Sequence, residues 1–139
     1  MNPAILSKAL IRRGVLLHAE EFDHIDHGKF FVIIGENEQG FVGFFFINSN
    51  INNYVKSRPD FMDMQMPIKH SNYPDILSYD SFIACHALSQ IPKIKLAQQI
   101  ECGAAQFKGT LLTEDLELLL ENLRSSKLYS KVEKETFFK

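Results

Sequence analysis

Three stretches of the chain are almost unbroken in apolar residues: VLLHA from Val15, KFFVIIG from Lys29 and FVGFFFIN from Phe41. Each is rich in β-branched or aromatic side chains and is bounded by glycine or a polar cluster, which is how a strand reads. Because KFFVIIG and FVGFFFIN show almost no polar alternation, they are predicted to be central strands covered on both faces. The ENEQG link, Glu36 to Gly40, joins them as a hairpin. A helical period stands near the other end of the chain. Leu116, Leu119, Leu120 and Leu123 recur at i, i+3, i+4, i+7, which predicts a helix over 114–125. Thr113 is its expected N-cap, and Glu114 and Asp115 fall in its electropositive first turn.

The remaining pattern is weaker. Pro3 followed by AILSKALIRR predicts a short helix over 3–12, stopped by Gly14. NSNINNYVKSRPDFMDMQ, from Asn48 to Gln65, is dense in asparagine and predicts turns and an irregular excursion. In DMQMPIKH, Met64, Met66 and Ile68 alternate as on a strand, with Pro67 confining it to an edge or a bulge. SYDSFIACHAL reads as a further strand, IPKIKLAQQI as an extended segment or a short helix, and VEKETFFK as a polar tail whose Phe137 and Phe138 either dock or fray. Short strands in succession followed by one amphipathic helix predict a mainly β, α+β architecture, a small curled sheet or barrel with the helix packed on it. Strands and helices do not alternate, which argues against a doubly wound sheet. One domain is expected over 1–139: helix 3–12, barrel 13–112, helix 114–125 and a tail to 139.

Charge and composition narrow the function classes. With 15 Lys and Arg against 17 Asp and Glu, the formal net charge is −2, so no overall positive field draws the chain to nucleic acid and any such contact needs a local patch. Cys85 and Cys102 form no metal-type C-x-x-C pair and no disulfide framework, so reduced thiols are expected. The first residues lack the order of a secretory signal, and no segment approaches the roughly 20 apolar residues that span a bilayer. A soluble, cytoplasmic protein is the expectation.

The run AEEFDHIDHG carries Glu20, Glu21, Asp23, His24, Asp26 and His27, side chains able to bind a divalent metal. Its order matches no calcium loop, however, and Asp26-His27-Gly28 beside a strand reads as a solvated connection. No metal and no cofactor are expected. Cys85 and His86 are neighbours on a predicted strand and point to opposite faces, so they form no nucleophile–base pair; a Cys85–His70 pair has no pattern behind it. Phosphate-cradling glycine motifs are absent from the sequence. Lys29, Lys56, Arg58, Lys69 and His70, with Asn48, Asn50 and Tyr54, supply cations, amides and an aromatic ring near predicted strand ends, the groups single-stranded RNA recognition uses.

The order of these pieces resembles the PemK/MazF-like family. A Gly-Val strand opens it, a polar loop and a basic residue lead into KFFVIIG, and a strand ends in INS. An M-P-I segment, DSFIAC, a Q-I and KGTLL then precede a helix. The resemblance covers roughly residues 13–130. It implies a small SH3-like antiparallel β-barrel with a C-terminal helix, usually a homodimer. It also implies a toxin of a toxin–antitoxin system that cleaves RNA without a metal, with an antitoxin segment able to occupy the same groove. By position, the resemblance makes Lys29 the cation, Ser49 a hydrogen-bonding hydroxyl and His27 or His24 a proton carrier, with His24, Asn48, Asn50, Tyr54, Lys69 and His70 as RNA contacts. The family's basic R-P entry is Lys29-Phe30 here, which keeps the charge and loses the bidentate guanidinium. The other reading of the same fold is a non-catalytic module that binds a protein or nucleic-acid partner.

Overall fold

The computed structural model describes residues 3–20 and 28–139. The apolar runs become β1 (Val15–Ala19), β2 (Lys29–Glu36) and β3 (Phe41–Asn48), which lie side by side in an antiparallel sheet. β4 (Gln65–Ile68) and β5 (Ser81–Ala84) extend the sheet from β3 on one side, and β7 (Ala105–Thr110) extends it from β1 on the other. β6 (Ser89–Pro92) shares the outer edge of β3 with β5: Phe41 to Phe44 pair with β6, and Ile47 and Asn48 with β5. The α+β class and the antiparallel pairing are as predicted. The sheet is not closed: β4 and β7 stand at its two ends. Pro67, which has no N–H to give a ladder, lies in one of these edge strands, where its cost is least.

Alternation along the central strands sends their side chains into two cores. Leu16, Val32, Phe45, Ile47 and Ile83 face one side, and Leu17, Phe31, Ile33, Val42 and Phe44 the other. This is why β2 and β3 carry apolar residues at almost every position. The first core is covered by α5 (Thr113–Ser125), whose Leu119, Leu120 and Leu123 are buried against it. The second is covered by α4 (Lys93–Glu101), through Leu96 and Ala97, with α1 (Pro3–Ala9) packed on α4.

Four local expectations are corrected or decided by the structure. The 48–65 segment is not wholly irregular: it holds α2 (Asn53–Lys56), capped by the Asn52 side chain, and α3 (Pro59–Met62), with proline in its first turn. IPKIKLAQQI, which periodicity leaves untyped, divides between β6 and α4. Thr113 is the first helical residue of α5 and not its cap; the helix start is held instead by Tyr73, whose hydroxyl donates to Asp115 Oδ2 (2.5 Å) and accepts from the Leu112 N–H (3.0 Å). The tail folds into α6 (Lys131–Phe137), opened by a capping box between Ser130 and Glu133.

The C-terminal residues dock on the end of the β2–β3 ribbon away from Lys29. Gly35 and Gly43 are cross-strand partners, and a Cβ on either would fall 2.7 Å from Phe137, so the paired glycines make the notch that Phe137 needs. Arg13 then clamps the segment, its guanidinium donating to the carbonyls of Ile34 (2.7 Å), Phe137 (2.9 Å) and Lys139 (2.8 Å). Arg124 Nε donates to the carbonyl of Phe138 (2.5 Å).

Candidate functional site

A cleft of about 340 Å³ opens where β2 begins and β3 ends. The antiparallel register pairs Phe30 with Ile47, which sets the preceding Lys29 beside the following Asn48. Lys29 Nζ donates to Asn48 Oδ1 at 2.5 Å. Lys29 is half-buried, and desolvation lowers its pKa below the ordinary 10.5, because removal from water favours the uncharged amine. Ser49 and Asn50 continue the wall as the chain leaves β3, and Phe30, Ile47 and Leu77 form the apolar floor.

The opposite wall is the segment 77–81, which brings Ser78, Tyr79 and Ser81 to the cleft. Tyr79 is 70% exposed there. His70 braces this wall: its ring Nδ1 hydrogen-bonds the Leu77 carbonyl, and its backbone N–H donates to Asp80 Oδ1 at 2.8 Å. A carbonyl only accepts, so Nδ1 carries the proton. Ser81 Oγ donates to the Tyr79 carbonyl at 2.9 Å, closing the same loop.

The expected site residues are therefore only partly brought together. Lys29, Asn48, Ser49 and Asn50 share the cleft. His70 reaches it through Leu77, and Lys69 is exposed just before it, outside the lining. Tyr54 lies apart on α2, beside Phe61 and Arg58. His24 and His27, with Glu21, Asp23 and Asp26, lie outside the described residues. Glu20 is described, with its carboxylate 3.6 Å from His18 Nδ1. Sequence reasoning passed over His18, Tyr79 and Ser81. His18 meets the cleft residue Phe30 edge-on, ring centroids 4.6 Å apart, as its cross-strand partner. The alternation of VLLHA marks His18 as sharing a face with Leu16, which is the signal that would have found it.

The thiols carry no comparable chemistry. Cys85 is buried in the first core, and burial pushes its pKa up to about 12, so it has no thiolate near neutrality. His86 turns away from it toward Gln65 Nε2, 2.8 Å from Nδ1, and toward the Phe61 ring. Cys102 is exposed. A thiol-specific disulfide reagent is expected to titrate a single cysteine in the native protein and both after unfolding; rapid reaction of both in the native state would contradict the buried placement of Cys85. Among the described residues no group of His, Cys, Asp and Glu could hold a metal ion, and no helix is long and apolar enough to cross a membrane.

No family model matches the chain, and no curated protein matches it. The architecture nevertheless has a counterpart among solved structures, and the chain has a MazF-like fold. A solved structure that shares it is the Mycobacterium tuberculosis toxin MazF-mt6, which matches over 82% of this chain and 95% of its own, with a TM-score of 0.51 and 14% sequence identity. The likeness is one of fold.

Proposed function

We propose that the chain is a metal-independent endoribonuclease of the MazF-like kind, a toxin cleaving single-stranded RNA at the Lys29 cleft. The observation that carries this reading is the half-buried Lys29 ammonium, held on Asn48 at the mouth of a polar cleft in a fold of that class.

RNA cleavage of this kind needs no group beyond acids, bases and charge stabilisation. The 2′-oxygen attacks the adjacent phosphorus as a base takes its proton; a P–O bond forms, the bond to the 5′-oxygen breaks, and that oxygen takes up a proton. The products are a 2′,3′-cyclic phosphate and a 5′-hydroxyl. Lys29 meets the charge that develops on the phosphorane, and its lowered pKa makes it a readier proton donor than an ordinary lysine. Ser49 supplies a hydroxyl hydrogen bond, Asn48 and Asn50 supply amides, and His27, one residue before Gly28, is the proposed proton carrier. In this reading the protein is a single domain over 1–139 that acts in the cytoplasm as a homodimer, and an antitoxin segment fills the cleft to silence it.

The second reading, a non-catalytic binding module, is favoured by Lys29-Phe30 standing where a basic R-P pair is usual and by the acidic residues that precede it, which repel phosphate. Incubating the purified protein with single-stranded RNA in excess EDTA separates the two. Cleavage with 5′-hydroxyl ends is expected; RNA that stays intact while bound would replace the enzyme with the binding module.

A further inference from the structure

A second feature lies on the sheet face that Lys29 occupies. Ile47, Ile83 and Met66 are successive cross-strand partners in β3, β5 and β4, and all three are buried in the first core. Their neighbours therefore point to the other face, and Asn48, Phe82 and Pro67 form a cross-strand row there, beginning beside Lys29. One step further along, Gln65 pairs with Ala84, and Gln65 contacts His86 at 2.8 Å. From His86 a run of rings continues outward. Phe61 lies 4.9 Å from His86 with its plane tilted by 38°, and Tyr54 meets Phe61 edge-on, centroids 6.0 Å apart at 67°. The Arg58 guanidinium sits over the Phe61 ring at 4.3 Å and donates to the Tyr54 hydroxyl at 3.3 Å. Asp60 fixes that guanidinium in return, at 2.9 Å. Tyr54, at the outer end, is 63% exposed.

This shelf is built almost entirely from exposed and half-exposed residues. α2 and α3 bury little beyond Val55, yet their sequence spends its aromatic residues and its arginine on one another. An exposed ring such as Tyr54, beside a guanidinium and an amide, is what an unpaired base stacks on and hydrogen-bonds to. The pairing of Arg58 with Asp60 matters here, because the carboxylate partly offsets the pull of the guanidinium charge on phosphate. The shelf thus suits a base and the Lys29 end suits the backbone.

We propose that the exposed Tyr54, backed by Phe61, Arg58 and His86, forms a nucleobase-stacking subsite for single-stranded RNA that crosses this sheet face from the Lys29 cleft. The inference rests on the proposed RNA-binding role of that cleft. Ser81 at the cleft opens β5 and the shelf begins past its far end, so the two are separated by about 10 Å or more at strand rise. A dinucleotide seated at Lys29 falls short of Tyr54; an octanucleotide reaches it.

The test measures fluorescence anisotropy of labelled 2′-O-methyl diuridylate and octauridylate, which lack the attacking hydroxyl and stay intact. Tyr54→Ala is expected to weaken octauridylate binding about tenfold, within the range lost per stacked base, and to leave diuridylate binding unchanged. Tyr54→Phe, which keeps the ring, is expected to bind octauridylate like the wild type. Equal octauridylate affinity for wild type and Tyr54→Ala would overturn the subsite, even with cleavage at Lys29 established. Binding that needs Tyr54 without any cleavage of unmodified RNA would support the subsite and remove the nuclease reading alone. Failure of the wild type to bind octauridylate would overturn the subsite, and the nuclease reading falls with it only if unmodified RNA also stays intact. Matching circular dichroism melts show that the variants are folded.

Discussion

Phe138→Ala is expected to lower the unfolding free energy by about 3–5 kcal/mol, the usual cost of emptying a well-packed aromatic site. Phe138 is fully buried, 6.1 Å from the Phe45 ring and 5.0 Å from Tyr129, whose hydroxyl in turn donates to the Cys85 carbonyl at 2.7 Å. The backbone around it has little freedom to collapse into the void. Arg13 and Arg124 hold the carbonyls of residues 137 to 139, and the Gly35–Gly43 notch holds Phe137. Domains of this size carry about 5–15 kcal/mol in total, so the variant would be left with a modest margin. Urea unfolding followed by circular dichroism measures the change. A loss under about 1 kcal/mol would mean that the last residues are not part of the core.

Lys29→Ala is expected to slow RNA cleavage by about 10²–10³-fold, the loss seen when a single group stabilising transition-state charge is removed from a desolvated site. The side chain is half-buried at the start of β2, with Asn48 as its hydrogen-bond partner, so the fold should survive its removal. The same lysine predicts a pH signature. Its charged form is the active one, and burial lowers its pKa, so its contribution is lost as pH rises, giving an alkaline limb with a midpoint below 10.5. Lys29→Arg retains its charge across that range, so whatever activity it keeps should lose this alkaline limb. A limb of the same position in the arginine variant would assign the titration to another group.

The legible parts of this chain were those where one physical signal acted alone. Unbroken apolar runs marked β2 and β3 because both of their faces are covered, and the leucine stripe marked α5 because a single face is. β7 was not legible: AQFKGT has one buried side chain, Ala105, and owes its extended form to pairing with β1. α6 was missed for a similar reason, since its only strong local signal is the Ser130–Glu133 box, and its one buried residue, Phe137, is its last. At the cleft, the closeness of Lys29, Asn48 and Ser49 could be read because strand ends are readable and hairpin register carries one to the other. Tyr79 and Ser81 could not, because the wall they form depends on His70 reaching Leu77 across a loop. The link between Tyr54 and His86 was equally hidden, as it passes through Phe61, in a segment whose asparagines suggested only turns.

The most direct measurement is single-turnover cleavage of a labelled single-stranded RNA in excess EDTA, run side by side with wild type and Lys29→Ala at matched thermal stability. The nuclease reading predicts cleavage with 5′-hydroxyl ends by the wild type, and a Lys29→Ala rate at most about a hundredth of the wild-type rate. Intact RNA with the wild type, or equal rates for the two proteins, would contradict it.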